Sequence, residues 1–374
     1  MARAVGGAEA IGVASILAGK PDGGEDALRT LRGMQISAWE QSMQLASTFR
    51  IARETRDDAQ TVVCAIEHAG VTGYGEAAPI ERYLETTASA LAFLEEAGPN
   101  LGDDPFALEA IERSLARRSG EHAAKAAIDC ALHDLQGKLL GIPVWKLLGL
   151  DRAGQPTSWT VSLDSPDAMA RNAADAAHRF RRLKLKIGGR DGLDLERVRA
   201  VRQACPALPL QVDVNEYWSF DEAVENVHEL ARLGVAYCEQ PRPAGDPGGP
   251  ELKRRSPLPI YVDEDCHTLA DIQECARRGH GVTIKLAKSG GLREALRMVH
   301  AARALDLGCM LGCMVESGLG IAAGAQIASL FDHVDLDGNL LLAGDPWPGV
   351  GFSDGVQLPA DTPGLGVAPA VGIV

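Results

Sequence analysis

The sequence predicts an α/β fold in which a barrel of eight parallel strands follows a smaller α+β domain. Short β-branched apolar runs alternate with helical segments from about residue 157 to residue 338. A charged residue lies at or beside the end of five successive runs. A meander followed by helices precedes this alternation. Buried parallel strands are near-continuous apolar runs, and crossover helices between them can close such a sheet into a barrel.

Composition indicates a large enzyme. The chain has 374 residues, enough for a barrel of about 200 residues and a companion domain. Its 37 basic and 51 acidic residues give a net charge of −14 without a Lys/Arg cluster, which argues against nucleic acid and membrane surfaces as partners. Eight cysteines without a Cys-x-x-Cys pair favour a reducing, cytoplasmic location. The composition leaves a homo-oligomer possible.

Residues 1–32 are rich in Gly and Ala, and we expect a flexible extension there, not a secretion signal. The α+β domain is predicted at 33–150. It begins with two strand-like runs on either side of a charged loop, 50–58, and the second run turns back at Gly70. Three helices are predicted to follow, at Leu84–Glu96, Asp104–Arg118 and Ala123–Leu140.

The barrel is predicted at 151–345, and the Gly- and Pro-rich segment 346–374 is predicted to return to the first domain. Its eight predicted strands are Ser158–Leu163, Leu183–Ile187, Pro209–Val214, Ala236–Glu239, Pro259–Val262, Val282–Leu286, Cys309–Cys313 and His333–Leu336. Helical patterns between them include Leu193–Ala204, Phe220–Leu233 and Leu292–Leu305.

Charged residues at the ends of these runs predict a metal site. Lys186, Asp213, Glu239, Asp263 and Lys285 follow one another at intervals of 22 to 27 residues, about the length of one strand-and-helix unit. Taken singly, each is compatible with a solvated loop residue. Because the carboxyl ends of barrel strands converge, we expect the set to meet at one mouth. Three carboxylates without His or Cys favour Mg²⁺ over zinc.

The lysines suggest proton transfer beside a carboxylate, where a divalent cation can stabilise a doubly charged enediolate. Lys186 can act as a base if its pKa falls, which the neighbouring ammonium of Lys184 and a metal ion promote. Lys285, four strands further on, would face the opposite side of the same carbon. Two bases imply racemisation or epimerisation, whereas one base and one inert cation fit lactonisation or dehydration equally well.

Five motifs resemble those of the enolase superfamily, muconate lactonizing enzyme subgroup, over roughly residues 35 to 370. They are Lys184-Leu185-Lys186-Ile187-Gly188, Asp213-Val214-Asn215, Cys238-Glu239-Gln240-Pro241, Val262-Asp263-Glu264 and the run 284–291, Ile-Lys-Leu-Ala-Lys-Ser-Gly-Gly. The resemblance implies a modified TIM barrel, (β/α)7β, with an α+β capping domain built from the N-terminal region and the C-terminal tail. It also implies Mg²⁺ at the three acids and catalysis by Lys186, Lys285 and Lys184.

Within the subgroup, Asp335-Leu336-Asp337-Gly338 resembles the Asp-x-Asp motif of dipeptide epimerases. This likeness implies inversion of the C-terminal residue of a dipeptide, with L-Ala-D/L-Glu of cell-wall peptide metabolism as the favoured substrate. Asp335 and Asp337 would bind the dipeptide ammonium, and Arg56 the side-chain carboxylate. Thr160, Cys313 and Lys184 match further substrate-binding positions.

Alternatives remain open on the sequence. Without the resemblance, Asp335 and Asp337 are equally compatible with strand-end residues paired to Lys or Arg. Glu54, Asp57 and Asp58 beside Arg56 leave a cationic or hydrophobic dipeptide possible. An o-succinylbenzoate synthase, a cycloisomerase of the same subgroup and a non-catalytic dipeptide-binding barrel also fit. Asp265 replaces the usual serine, which predicts additional negative charge near the metal. No histidine ends the seventh strand, which argues against the mandelate racemase branch.

Overall fold

The computed structural model describes residues 33–372, so the predicted extension at 1–32 lies outside the described residues. The chain begins with an antiparallel sheet of three strands in the order β1 (Gln35–Arg50), β2 (Thr55–His68) and β3 (Val71–Ala77). Val62 to Ile66 of β2 are all buried, because this central strand is covered by helices on one side and by the barrel on the other.

The hairpin that joins β1 to β2 differs from the prediction. The sequence predicts a loop over 50–58, but Phe49 pairs with Arg56 and Arg50 pairs with Thr55, so residues 51–54 form the turn. The charged residues after the turn remain in a strand because they find partners along the exposed hairpin. Thr48 Oγ1, for example, donates to Asp57 Oδ1 at 2.6 Å. A charge run thus extends a strand here instead of ending it.

Helices cover the sheet: α1 (Thr87–Ala97), α2 (Leu108–Leu115), α3 (His122–Leu140) and the single turn α4 (Val144–Leu147). Thr86 and Ser89 form a capping box at the start of α1, and Gly141, with a φ of 71°, ends α3. A Cβ atom on Gly73 or Gly75 of β3 would lie 2.1 Å from a carbonyl oxygen of α3. Glycine at these two positions therefore allows α3 to lie directly on the sheet.

The barrel follows, with eight parallel strands that pair in sequence order. Its elements are β4 (Trp159–Val161), α5 (Pro166–Ala176), β5 (Leu183–Lys186), α6 (Asp194–Ala204), β6 (Leu210–Asp213), α7 (Phe220–Arg232), β7 (Val235–Glu239), α8 (Gly249–Arg255), β8 (Ile260–Val262), α9 (Ile272–Arg278), β9 (Gly281–Lys285), α10 (Leu286–Ser289), α11 (Leu292–Ala304), β10 (Gly308–Gly312), α12 (Gly318–Ala325) and β11 (His333–Asp335). A parallel bridge between Thr157 and Val334 joins the first and last strands. After β11 comes a 3-10 turn, Gly338–Leu341, so the (β/α)7β prediction is confirmed.

The C-terminal segment contacts both parts of the molecule. It contains a small hairpin, β12 (Gly351–Ser353) and β13 (Val356–Leu358), and Val144 N donates to Gly364 O at 3.0 Å. Trp347 is fully buried, its Nε1 donates to Gln41 Oε1 at 2.9 Å, and its ring lies 5.0 Å from that of Tyr74. The division of the chain at 150 and 345 stays a prediction. Within residues 33–372, no helix is both long and apolar enough to cross a membrane.

Candidate active site

The charged residues singled out in the sequence lie at the carboxyl end of the barrel. Lys186, Asp213 and Glu239 are the last residues of β5, β6 and β7, and they are partners in the register of these adjacent strands. Lys285 ends β9, and Asp263 directly follows β8. Parallel strands place their last residues on one rim of a barrel. Alternation along β5 then turns Lys184 to the same interior side as Lys186.

Four carboxylates at this mouth, those of Asp213, Glu239, Asp263 and Asp335, pair with lysines. Lys184 Nζ lies 2.7 Å from both Glu239 Oε2 and Asp335 Oδ2. Lys186 Nζ lies 2.6 Å from Asp213 Oδ2, and Lys285 Nζ lies 2.8 Å from Asp263 Oδ2. All of these side chains are buried. Buried charges persist when they are paired and hydrogen-bonded, so the arrangement is a mutually dependent network.

Electrostatics differ among the carboxylates. Burial raises the pKa of Glu239 to about 8, and the nearby charges of Asp213 and Asp263 add to this rise. Burial alone would raise the pKa of Asp213 as well, but the ammonium groups of Lys186 and Lys184 hold it below its usual range. Three acids this close together repel one another, and positive charge among them relieves the repulsion.

The predicted Mg²⁺ site consists of Asp213, Glu239 and Asp263. Among residues 33–372, no three His, Cys, Asp or Glu side chains converge closely enough to enclose a metal ion, because lysine ammonium groups lie among the acids. The donor chemistry nevertheless fits. Asp213, Glu239 and Asp263 supply hard oxygen atoms at adjacent strand ends, and Glu239 Oε2 lacks a well-aligned hydrogen bond despite its contact with Lys184. These residues would hold the ion.

Two buried lysines of the cavity have a raised pKa. Burial alone would lower the pKa of Lys285, but the carboxylates of Asp263, Glu239 and Glu264 together outweigh it and hold this pKa above the ordinary range. The pKa of Lys184 is likewise raised, because Asp335, Glu239 and Asp213 together outweigh its burial. The direction follows from the ion pairs: an ammonium next to an ionised acid keeps its proton.

The predicted ammonium site lies on the last strand of the barrel. Asp335 Oδ2 pairs with Lys184, whereas its Oδ1 is buried without a hydrogen-bond partner. Asp337 Oδ2 accepts from Thr160 N at 2.6 Å, and burial together with the Asp335 charge raises the pKa of Asp337 to about 7. The pair is therefore partly engaged within the protein, and one Asp335 oxygen is left to accept a hydrogen bond from a bound cation.

A cavity of about 680 Å³, part of it open to solvent, lies above these residues. Its walls include the predicted residues Thr160, Lys184, Lys186, Lys285, Cys313, Asp335, Asp337 and Arg56. Arg56 Nη2 lies 2.6 Å from Glu54 Oε2, so its guanidinium already has an acidic partner. The hairpin turn is also attached to the barrel, because Arg53 Nη1 lies 2.8 Å from Glu264 Oε1.

The effect of Asp265 on the metal site stays a prediction, and the structure gives the partners of its side chain. Its carboxylate accepts from Gln240 Nε2 at 2.9 Å and from Gly245 N at 2.8 Å. Gln240 Oε1 in turn accepts from Asp263 N at 2.7 Å. The extra charge therefore holds a loop and, through Gln240, the backbone of Asp263.

Sequence reasoning missed Lys288, a buried residue whose ammonium donates to Asp263 Oδ1 and, at 2.6 Å, to Asp263 O. Its position three residues after Lys285 was visible, but the turn α10 that brings it back to Asp263 was not. The apolar residues of the cavity walls were also missed, because they come from distant segments: Phe49, Ile51, Ile80, Val315 and Leu341.

A capped parallel barrel with carboxylates and lysines at its strand ends defines a class of enzymes that move a proton beside a carboxylate. Residues 34–149 match the model of the mandelate racemase / muconate lactonizing enzyme N-terminal domain, and residues 168–371 match the enolase C-terminal domain-like model. The chain belongs to the enolase superfamily, and it is an isomerase of the racemase and epimerase type.

Relatives support this assignment at the level of sequence and structure. An L-Ala-D/L-Glu epimerase of Bacteroides thetaiotaomicron is 37% identical over 89% of this chain and 88% of its own. A hydrophobic dipeptide epimerase of Roseobacter litoralis is 38% identical over 85% of this chain and 94% of its own. The crystal structure of a dipeptide epimerase from Enterococcus faecalis, complexed with Mg and L-Leu-L-Tyr, is 31% identical and superposes with a TM-score of 0.86 over 90% of this chain and 99% of its own.

Proposed function

We propose that this chain is a Mg²⁺-dependent dipeptide epimerase that inverts the α-carbon of the C-terminal residue, with L-Ala-D/L-Glu as its substrate pair. The observation that carries the proposal is the placement of two buried lysines on opposite walls of one cavity. Lys186 ends β5 and Lys285 ends β9, four strands apart in an eight-stranded barrel, and both line the cavity.

Two amines on opposite walls suit a 1,1-proton transfer. One lysine removes the proton from the α-carbon, and the other delivers a proton to the opposite face of the same carbon. The reverse reaction exchanges their roles. A single base would return the proton to the face it came from, and the configuration would be retained.

Substrate orientation depends on the remaining charges of the cavity. The free Asp335 oxygen and Asp337 would accept hydrogen bonds from the ammonium of the dipeptide. Lys184, a buried residue of the cavity wall, would bind the substrate carboxylate. Both contacts would hold the α-carbon between Lys186 and Lys285, in the orientation that proton transfer requires.

Asp213, Glu239 and Asp263 would hold Mg²⁺. The bound ion supplies counter-charge to the substrate carboxylate, which lowers the free energy of the anion left when the α-proton departs. With Asp263 engaged in holding the ion, Lys285 would lose part of its ion pair and give up its proton more readily. The relatives add support, since the Enterococcus faecalis enzyme is described with both Mg and a dipeptide.

Competing functions differ in their use of Asp335 and Asp337. A cycloisomerase or an o-succinylbenzoate synthase acts on substrates that lack an α-ammonium, so the two acids at the cavity wall would have no ligand. A barrel that binds dipeptides without catalysis would not exchange the α-proton. The buried acid pair at the cavity favours the epimerase over the first alternative.

The test is an isotope-exchange experiment. The chain is incubated with Mg²⁺ and a dipeptide library in D₂O, and deuterium at the C-terminal α-carbon is followed by mass spectrometry. We expect incorporation into L-Ala-L-Glu together with formation of L-Ala-D-Glu. Failure of every dipeptide to incorporate deuterium would refute the proposal, and so would full activity after removal of Mg²⁺ by chelation.

A further inference from the structure

The β1–β2 hairpin over the cavity carries an ion pair between two of its own residues. Arg56 Nη2 lies 2.6 Å from Glu54 Oε2, and both side chains are partly exposed, at 26% and 36%. Both residues line the same cavity as Lys184 and Lys285. The charge that would meet an acidic substrate side chain is therefore already shared with an acid of the protein.

Backbone contacts hold this pair over the cavity. Ile51 N donates to Glu54 O at 3.0 Å and closes the turn, and Phe49 pairs with Arg56 in the strand register. Leu163 N, in the loop after β4, donates to Arg50 O at 2.9 Å. The hairpin thus rests on the barrel, and Glu54 and Arg56 occupy defined positions at the mouth.

The other two acids of the hairpin have different partners. Asp57 Oδ1 accepts from Thr48 Oγ1 at 2.6 Å, and Asp58 Oδ2 accepts from Gln60 Nε2 at 2.7 Å. Of the three acids, Glu54 is the one that pairs with Arg56. Asp57 adjoins Arg56 in sequence but does not line the cavity, so it provides a matched control for a change of charge.

Much of the cavity wall near the pair is apolar, and the other hairpin arginine that lines it, Arg53, is paired with Glu264. Phe49, Ile51, Ile80, Val315 and Leu341 line the cavity around the hairpin. Apolar walls favour an uncharged side chain, whereas an unpaired guanidinium would favour a carboxylate. A guanidinium that is shared with Glu54 provides less binding free energy to a substrate carboxylate, because the incoming acid must compete with an existing partner and meets its charge.

From this geometry we infer that Glu54 is a specificity-determining residue, which weakens the hold of Arg56 on acidic side chains and so admits uncharged C-terminal residues as well. The inference rests on the proposed dipeptide epimerase function. It assigns the chain a broad substrate class: dipeptides whose C-terminal side chain is either acidic or apolar. Discrimination between the two is the ratio of their kcat/KM values.

The experiment compares this ratio for L-Ala-L-Glu and L-Ala-L-Leu in the wild type, Glu54→Gln and Asp57→Asn, with Mg²⁺ present. We expect Glu54→Gln to raise the Glu/Leu ratio roughly five-fold, a magnitude typical of releasing a partly exposed ion pair. Asp57→Asn removes the same charge from the same hairpin and should leave the ratio unchanged. A third comparison places Glu54→Gln in an Arg56→Ala background, where it should have no effect on the ratio.

The outcomes separate the two claims. An unchanged ratio in Glu54→Gln overturns the inference, as does an equal rise in Asp57→Asn, which would indicate a general electrostatic effect. A rise that persists without Arg56 also overturns it. If the wild type exchanges the α-proton of neither dipeptide nor of any library member, the proposed function fails, and the inference fails with it.

Discussion

The charged residues at the floor of the cavity and those at its rim differ in burial and in the number of their ionic partners. The floor consists of Lys184, Lys186, Asp213, Glu239, Asp263 and Lys285, all of them buried at strand ends. The rim is the β1–β2 hairpin, where the side chains of Glu54 and Arg56 are partly exposed. Floor charges form a shared network, in which Lys184 contacts Asp213, Glu239 and Asp335 and Asp213 also contacts Lys186. At the rim, Arg56 Nη2 and Glu54 Oε2 make a single ion pair of 2.6 Å.

This difference indicates where each property of the enzyme can change. A buried charge that loses its partner is strongly destabilising, so the floor tolerates little variation. A partly exposed pair contributes little to stability, so the rim can vary while the fold and the reaction persist. We therefore expect the reaction to depend on the floor and the choice of side chain to depend on the rim.

The largest effect is expected at Lys186 and Lys285 of the floor. Lys186→Ala and Lys285→Ala should each reduce epimerisation by about 10³-fold or more, since loss of either amine leaves one face of the α-carbon without a proton donor or acceptor. Each single variant should still exchange the α-proton of one stereoisomer with D₂O. The measurement is deuterium incorporation into the L,L and L,D dipeptides separately.

The control for this prediction is Lys288→Met, which removes another buried ammonium from Asp263 but leaves both lysines of the cavity in place. It should reduce activity through the position of Asp263 while exchange continues with both stereoisomers. If Lys186→Ala and Lys285→Ala impair the same stereoisomer, the assignment of one lysine to each face is wrong.

The next effect concerns stability and pH at Asp337. Its folded pKa of about 7 lies above the usual value for an aspartate, because of burial and the Asp335 charge, with Lys184 in partial opposition. A raised carboxyl pKa contributes stability that is complete below about pH 4 and is lost as the pH rises through 7. Asp337→Asn keeps an oxygen for Thr160 N, so its gain in unfolding free energy over the wild type should grow with pH, by up to about 4 kcal/mol.

Urea unfolding of metal-free protein at pH 4, 6 and 8 measures this gain. Asp335, Lys184 and the Cys313 thiol are the ionisable groups near Asp337. A difference between the variant and the wild type that does not change with pH would show that Asp337 is ionised throughout. In that case burial of the ionised Asp337 carboxylate does not lower the free energy of unfolding.

The smallest of these effects is expected from Asp335→Asn. Loss of the negative charge should raise KM for a dipeptide roughly 10-fold to 100-fold, whereas the N-acylated form of the same dipeptide, which lacks the ammonium, should be unaffected. Asp332→Asn is the matched control, because Asp332 lies on the barrel surface and pairs with Arg303. Equal losses for both substrates would remove the ammonium role from Asp335.

Strand positions and the charged floor were predictable because both follow from short-range pattern. Observed strand boundaries such as Leu183–Lys186 and Leu210–Asp213 lie within a residue of the predicted ones, since continuous apolar runs mark buried parallel strands. A residue at the end of such a run must face the mouth. Asp213, Glu239 and Lys285 could therefore be placed from sequence alone.

The ionic partners could not be predicted, because they depend on side-chain geometry. Asp265 is predicted from sequence to add negative charge near the metal site, but its hydrogen bonds with Gln240 and Gly245 could not be foreseen. Charged residues of the hairpin look like a loop, yet pairing with β1 keeps Arg56 in a strand. In both places tertiary contacts decide what local composition leaves undetermined.

Trp347 has a consequence for the order in which this protein is made. The strand that closes the barrel ends at Asp335, and the indole that fills the space beside Tyr74 and Gln41 comes twelve residues later. Synthesis begins at the amino end, so the helices and the first seven barrel strands are synthesised before these parts. The cavity is therefore completed late in synthesis. A chain truncated before Asp335 lacks Asp335 and Asp337, and it also lacks Trp347, which packs against the N-terminal domain.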